Sequence, residues 1–379
     1  MLVMEIALII GHLDFELGPL KMIKSTFGWA KGWALLAIFI FIGACLPIRP
    51  EIIYRACCKV CGQTLLLIPI LVIAYYAGLP GSLYVSPLSV VGGSGTEFFE
   101  VQLFGINPET HGPRWRFFAP WAPAAGMVAN IYLVFALQEK SVFWKSVGIA
   151  ASLLMCLMCQ SRVGLVCVLF VTLSVWIVSR ATKPKLLLAG GIATTITGIS
   201  FSMLAEILDN VVADFQSARA GSTRVRSALA RIAIQRWQDE APMWGHGIVE
   251  RGSHLVEYMP IGSHHSWYGL LFVKGAIGAI ALAIPLVLSL LYLLVEAQQS
   301  KLGRCALACM LIISLFSMSE NLEILAYLFW PALIIIGSAL NPNHHLSLNR
   351  SLDRDPCQNS YENPYENPYE NPEGAPSHV

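Results

Sequence analysis

Charged residues are scarce in this chain. Asp, Glu, Lys and Arg together make up 13% of the 379 residues, and the formal net charge is +1. A chain so close to neutrality lacks the basic surface with which proteins bind nucleic acid, so no nucleic-acid partner is predicted. Hydrophobic residues make up 55% of the sequence, and the mean hydropathy is +0.60. This composition excludes an ordinary water-soluble globule and predicts a polytopic membrane protein.

Motifs for nucleotides and metals are also missing. The sequence contains neither a P-loop nor a Gly-x-Gly-x-x-Gly fingerprint. The cluster CCKVC at 57–61 offers three thiols without a nearby fourth ligand, which is a weak zinc signal. The acids at 209, 214, 239 and 240 are scattered among arginines, where ion pairing is the more common role. We therefore expect neither a cofactor nor a metal.

Long apolar runs recur along the chain. A bilayer core needs about 20 apolar residues per helix, and nine segments approach this length: 29–46, 62–79, 119–137, 146–159, 163–178, 185–204, 267–294, 305–317 and 322–340. The opening MLVMEIALIIG carries Glu5 and is not followed by a signal-peptide cleavage site, so it is interpreted as a partial or interfacial tenth segment. The expected fold is all-α, a polytopic transmembrane helical bundle of nine to ten spans.

The distribution of Lys and Arg predicts the orientation. Four short loops are basic and are expected to be cytoplasmic; they contain Arg49, Arg55 and Lys59, then Lys140 and Lys145, then Arg180, Lys183 and Lys185, then Lys301 and Arg304. Segments 81–118 and 205–265 and the junction at 161–162 are then external. Residues 1–340 form the transmembrane domain, and 341–379 form a disordered cytoplasmic tail with three YENP copies at 361–372, which could instead be a docking motif.

The external segment 205–265 contains arginine but no lysine. Its six arginines are at 219, 224, 226, 231, 236 and 251. Arginine presents a planar fork that binds phosphate oxygens bidentately and stays protonated. From Ser222, a candidate N-cap, the stretch STRVRSALARIAIQRW has an apolar stripe through Val225, Leu229 and Ile232. It predicts an amphipathic helix on the membrane surface, whose arginines could also do no more than meet lipid headgroups.

Arg162 lies between two apolar spans in CQSRVGLV. It falls at the external end, where the positive-inside rule gives no reason for it. An ionisable residue at membrane depth costs roughly 3 kcal/mol on insertion scales, so it is a candidate functional residue. A structural ion pair is the alternative.

These motifs together resemble the O-antigen ligase and polymerase family. The resemblance covers 161–278: SRVG at the start of a span, an arginine-bearing helix, the proline and Gly-x-Gly of APMWGHG, and GSHHSWYGLLFVKGAIG. By its spacing to Gly275 and Gly278, His264 matches the family histidine, and His265 stands where the family usually has asparagine. Arg162 matches the family's first arginine, and its second matches Arg224 or Arg226.

The resemblance implies an inverting, metal-independent glycosyltransferase in the bacterial inner membrane, with a periplasmic active site. The donor would be a glycan on undecaprenyl pyrophosphate, and the acceptor a hydroxyl of lipid A core, another glycan or a protein. Arginines would stabilise the departing pyrophosphate, and a histidine would take the acceptor's proton. The predicted catalytic residues are His264, Arg162 and Arg224, and the predicted substrate-binding residues are Arg226, Arg231 and His265.

Two alternatives stay open at this point. Ligase and polymerase differ in acceptor pockets that the motifs do not specify. A small-anion transporter belongs to a different class, with Arg162 in the anion pathway and Glu320 or Glu323 as coupling groups.

Overall fold

A computed structural model of the chain describes residues 1–87, 99–107, 112–117, 119–201, 203, 205–207, 209–210 and 220–341. The tail with the YENP repeats lies outside the described residues, as do Asp214 and Arg219 of the external segment. Most of the described chain is helical.

The N-terminal half contains eight of the described helices. They are α1 (Leu2–Asp14), α2 (Pro19–Trp29), α3 (Leu35–Cys45), α4 (Pro50–Tyr76), α5 (Ala122–Gln138), α6 (Val142–Met158), α7 (Arg162–Val178) and α8 (Pro184–Ile199), with the π-helical turn Ala30–Ala34 joining α2 to α3. Proline occupies one of the first two positions of α2, α4, α5 and α8, where its fixed φ suits the helix and its missing N–H is not needed.

The C-terminal half adds α9 (Ala220–Glu240), α10 (Ser266–Gln299), α11 (Lys301–Ser317), α12 (Leu322–Leu325) and α13 (Trp330–Leu340). The predicted span 322–340 is therefore divided between two short helices. Pro331 explains the division, because proline is suited to the first turn of a new helix and disrupts a continuing one.

Three stretches of helix are long and apolar enough to cross a membrane: Pro19–Cys45, Pro50–Tyr76 and Ser266–Gln299. Five further apolar helices among the described residues, α5, α6, α7, α8 and α13, have 10–17 residues each. The lengths are compatible with a mostly helical membrane protein, and the number of spans stays a prediction.

Four short strands depart from the all-α expectation. In segment 81–118, β1 (Ser82–Val85) pairs antiparallel with β2 (Glu100–Gln102), and β3 (Phe104–Ile106) pairs antiparallel with β4 (Pro113–Trp115). The rings of Phe104 and Trp115 contact Tyr75 at the end of α4, with centroid distances of 5.1 and 6.1 Å. The β3–β4 hairpin is thus attached to the helical bundle by aromatic packing.

The helical core includes very close backbone contacts. A Cβ atom on Gly43 of α3 would lie 2.1 Å from the carbonyl oxygen of Ile334, and one on Gly337 of α13 would lie 2.1 Å from that of Ile40. Ser338 also donates a hydrogen bond to the Gly43 carbonyl at 3.2 Å. Small residues allow the α3 and α13 backbones to touch, as they do in membrane helix pairs.

Helix α9 corrects two sequence predictions. It begins at Ala220, so Ser222 lies within the helix and is not its N-cap. Val225, Leu229 and Ala233 are buried in a cluster with Val256, Ile261, Phe272 and Val273. The apolar face predicted to lie on the membrane surface therefore packs against the protein.

Candidate functional site

The helix α10 is interrupted at Gly275, whose φ of 61° and ψ of −167° are not helical. The APMWGHG turn fills this break: the backbone N–H of His246 donates to Phe272 at 2.8 Å, and the N–H of Ala276 donates to Pro242 at 3.0 Å. A Cβ atom at Gly275 would lie 2.2 Å from the Met243 carbonyl oxygen. The APMWGHG turn, which begins at Ala241, and the helix break at Gly275 are 34 residues apart in the sequence, yet they form one hydrogen-bonded unit.

His246 fixes the end of α9 to this unit. Its ring stacks on Phe272 at 4.2 Å and on Phe15 at 5.0 Å, and its Nε2 lies 2.8 Å from Glu240. Arg236 contacts Glu240 at 2.8 Å, and it holds the pKa of that carboxyl down to about 2, with help from His246. Because Arg236 also pairs with another carboxylate, that of Glu250, at 2.6 Å, it stabilises the turn.

The structure also contains a cavity of about 510 Å³. The β3–β4 hairpin, the start of α5, α9, the segment 251–264 and the loop between α11 and α12 form its walls. Its ionisable lining residues, among those described, are Arg114, Arg116, Arg226, Arg251, Glu257, Tyr258, His264 and Glu320. Such a concave site with convergent cationic groups suits an anionic ligand.

Glu320 is a buried carboxylate in the cavity wall, with a side chain only 2% exposed. It accepts hydrogen bonds from Trp121 at 2.7 Å and from Arg226 at 3.5 Å, and Arg226 also donates to the Ser319 carbonyl at 3.1 Å. Burial raises the pKa of Glu320 to about 6, although Arg226 and Trp121 oppose the rise. Ser266 positions the loop by donating to the Glu320 carbonyl at 2.7 Å.

His264 faces the same cavity. Its Nε2 lies 3.2 Å from the thioether sulfur of Met259, which can only accept a hydrogen bond. This contact favours the tautomer with the proton on Nε2 and leaves Nδ1 as the basic nitrogen. Burial, and secondarily the charge of Arg226, lower the pKa of His264 to about 4, so the imidazole is neutral at physiological pH.

His265 has a different position from its neighbour. It is the N-cap of α10: its Nδ1 accepts a hydrogen bond from the Tyr268 backbone N–H at 3.4 Å, and its ring stacks on Tyr268 at 3.9 Å. Asparagine is among the best N-cap residues. Because asparagine could make the same capping hydrogen bond, it could replace His265 here. That His265 contacts the substrate stays a prediction.

The other predicted arginines are distributed over two elements. Arg224 and Arg231 are exposed on α9, while Arg226, between them, is half-buried and lines the cavity. Arg162 is the first residue of α7, where the helix dipole disfavours a cation. It lies outside the described lining of the cavity, although Gln160 nearby connects to β4 by donating to the Pro113 carbonyl at 3.4 Å.

The sequence prediction missed several lining residues, among them Arg114, Arg116, Trp121 and, as a partner of arginine, Glu320. A signal for the two arginines was present, because segment 81–118 contains arginine without lysine, like 205–265. Arg116 donates to the Pro120 carbonyl at 3.1 Å, and burial lowers its pKa.

No family model matches this chain, and no curated protein sequence matches it either. The likeness to O-antigen ligases and polymerases therefore rests on the sequence motifs alone. Among the residues that the structure describes, no group of three or more His, Cys, Asp or Glu side chains is placed to hold a metal ion.

Proposed function

We propose that this protein is a membrane glycosyltransferase of the bacterial inner membrane that transfers or polymerises a glycan carried on undecaprenyl pyrophosphate at the outer face. The observation that carries the proposal is the cavity in which His264 and four arginines converge. All of these residues come from the two segments with arginine and without lysine, 81–118 and 205–265.

The charge of the cavity suits a pyrophosphate. Arg114, Arg116, Arg226 and Arg251 exceed in number the carboxylates of Glu257 and Glu320 that line the same space. A pyrophosphate diester carries one negative charge on each phosphate, and guanidinium groups bind such oxygens in pairs. Fixed cations of this kind stabilise the charge that develops on the leaving group.

His264 supplies the base in this proposal. Its neutral imidazole takes the proton of the acceptor hydroxyl while that oxygen forms a bond to the anomeric carbon. The bond from the anomeric carbon to the phosphate oxygen breaks at the same time, and undecaprenyl pyrophosphate leaves with the electron pair. Attack from the face opposite the leaving group inverts the anomeric configuration.

For the second arginine of the motif we favour Arg226 over Arg224. Arg226 lines the cavity and contacts Glu320, whereas Arg224 is exposed on the neighbouring face of α9. A catalytic role for Arg162 and a substrate-binding role for Arg231 remain hypotheses. Arg162 lies two residues after Gln160, which is hydrogen-bonded to the β3–β4 hairpin.

The proposal is tested with purified protein in liposomes containing an undecaprenyl-pyrophosphate-linked oligosaccharide. Lipid A core is supplied as acceptor in one arm, and the lipid-linked repeat alone in the other. Transfer to lipid A core identifies a ligase, and elongation of the repeat identifies a polymerase. Absence of transfer in both arms, with correctly inserted protein, would overturn the proposal.

An anion transporter is the second candidate because of a buried ion pair deeper in the bundle. Lys274 of α10 is 1% exposed and lies 3.6 Å from Glu323. Charged groups at membrane depth are frequent in transport pathways. Anion flux measured in the same liposomes, without glycan transfer, would favour this function.

A further inference from the structure

Segment 251–260 forms a closed turn at the mouth of the cavity. Arg251 and Pro260 are joined by an antiparallel bridge, and the Gly252 N–H donates to the Met259 carbonyl at 2.9 Å. Val256, at 0% exposure, anchors the turn in the apolar cluster beneath α9. The turn is therefore a fixed part of the cavity wall.

Two consecutive residues of this turn have a left-handed backbone. Glu257 has a φ of 56° and Tyr258 a φ of 53°, and neither is a glycine. Such conformations are unfavourable for residues with a Cβ, and they occur often at ligand-binding sites. With this backbone, Glu257 and Tyr258 both line the cavity, and Tyr258 remains 61% exposed.

We propose that Tyr258 is the platform on which the acceptor sugar stacks, with the Glu257 carboxylate accepting hydrogen bonds from its hydroxyls. This inference rests on the proposed function. A pyranose ring has an apolar C–H face and a polar rim of hydroxyls, and an exposed tyrosine ring next to a carboxylate complements both.

The acceptor is favoured over the donor sugar by the position of the base. Met259, the next residue in the turn, contacts His264 at 3.2 Å through its sulfur. The base must touch the hydroxyl that attacks, which belongs to the acceptor. The turn that carries Tyr258 is thus on the acceptor's side of the reaction centre.

The test measures the KM for acceptor and for donor separately in the liposome transfer assay. Tyr258→Ala should raise the acceptor KM about tenfold, the loss expected for one aromatic contact, with the donor KM unchanged. Tyr258→Phe should behave like the wild type. Leu255→Ala is the matched control, because Leu255 belongs to the same turn, is 73% exposed and lies outside the cavity lining.

Tyr258→Gly separates recognition from structure. Glycine adopts the left-handed backbone without strain, so the melting temperature should stay level or rise while the acceptor KM increases. An unchanged acceptor KM in the alanine and glycine variants, beside normal transfer by the wild type, would overturn this inference alone. Absence of transfer by the wild-type protein would overturn the proposed function and this inference with it.

Discussion

Arg226→Ala should separate the charge-balancing role of this arginine from its role in substrate binding. Arg226 contacts Glu320, whose side chain is 2% exposed; without Arg226 this carboxylate keeps its hydrogen bond from Trp121 but loses the paired cation. Arg224→Ala is the matched control, two positions away on α9 and exposed.

Protonation of Glu320 limits how much stability the Arg226→Ala variant loses. Burial raises the pKa of Glu320 from 4.5 to about 6, so the folded state binds this proton more tightly than the unfolded state, and the ionised carboxylate is destabilising above pH 6. Without Arg226 the pKa rises further, and the group protonates. Because pH 7 is one unit above the pKa of about 6, protonation limits the additional loss there to about 1.4 kcal/mol; the loss should shrink to about 0.4 kcal/mol at pH 6 and disappear below about pH 5.

The effect on activity should be larger. A charge-assisted hydrogen bond contributes about 1.5–3 kcal/mol, so Arg226→Ala should lower kcat/KM for the lipid-linked donor by roughly 10- to 100-fold. Arg224→Ala should remain close to the wild type. Both are measured in the liposome transfer assay at equal protein abundance, with melting temperatures recorded at pH 6 and pH 7.

The double variant Arg226→Ala/Glu320→Gln completes the experiment. The neutral amide removes the buried charge, so the melting temperature should recover while transfer stays low. Recovery of transfer in the double variant would refute the reasoning, because it would mean that Arg226 serves only to neutralise Glu320.

Four further outcomes are expected. His264→Ala should abolish transfer and His265→Asn should be tolerated, because asparagine keeps the N-cap of α10; the reverse result would assign the base to His265. In a Glu320→Gln variant, which removes the carboxyl of pKa about 6, transfer should not titrate near pH 6.5, since burial lowers the pKa of His264 to about 4. Gly275→Ala should prevent folding, so that no melting transition is seen, because the added Cβ atom would overlap the Met243 carbonyl. Gly190→Ala, whose added Cβ atom would have no neighbouring atom within 4 Å, should fold normally. Equal melting temperatures for the two variants would contradict the close packing at Gly275. Leu255→Cys should react with an impermeant thiol reagent in intact cells, and labelling only after permeabilisation would reverse the predicted orientation.

The sequence predicts well where a signal is local. The family resemblance selected His264 by its spacing to Gly275 and Gly278, and His264 does line the cavity; its catalytic role stays a prediction. Apolar runs likewise indicate helices, since composition alone determines whether a segment suits a bilayer.

It predicts less well where the answer depends on distant contacts. Arg224 and Arg226 cannot be separated by sequence, since the face of α9 that packs on the protein is decided by Phe272 and Val273 of another helix. Arg114 reaches the cavity through a hairpin whose strands have three residues each, too short for a periodic pattern. The Ser222 cap failed because the helix continues upstream of the favourable capping residue.

The break in α10 also has a consequence for the order of assembly. The ribosome makes the APMWGHG turn before it makes α10, yet this turn satisfies backbone groups on both sides of Gly275. Until the two meet, the backbone groups beside Gly275 lack these partners, and such unpaired groups would cost several kcal/mol each in a bilayer core. The turn also touches the N-terminus, since a Cβ atom on Gly11 would lie 2.7 Å from the Gly245 carbonyl oxygen. The first helix and segment 205–265 must therefore both be available when α10 forms its break, which makes docking of this turn a late step of folding.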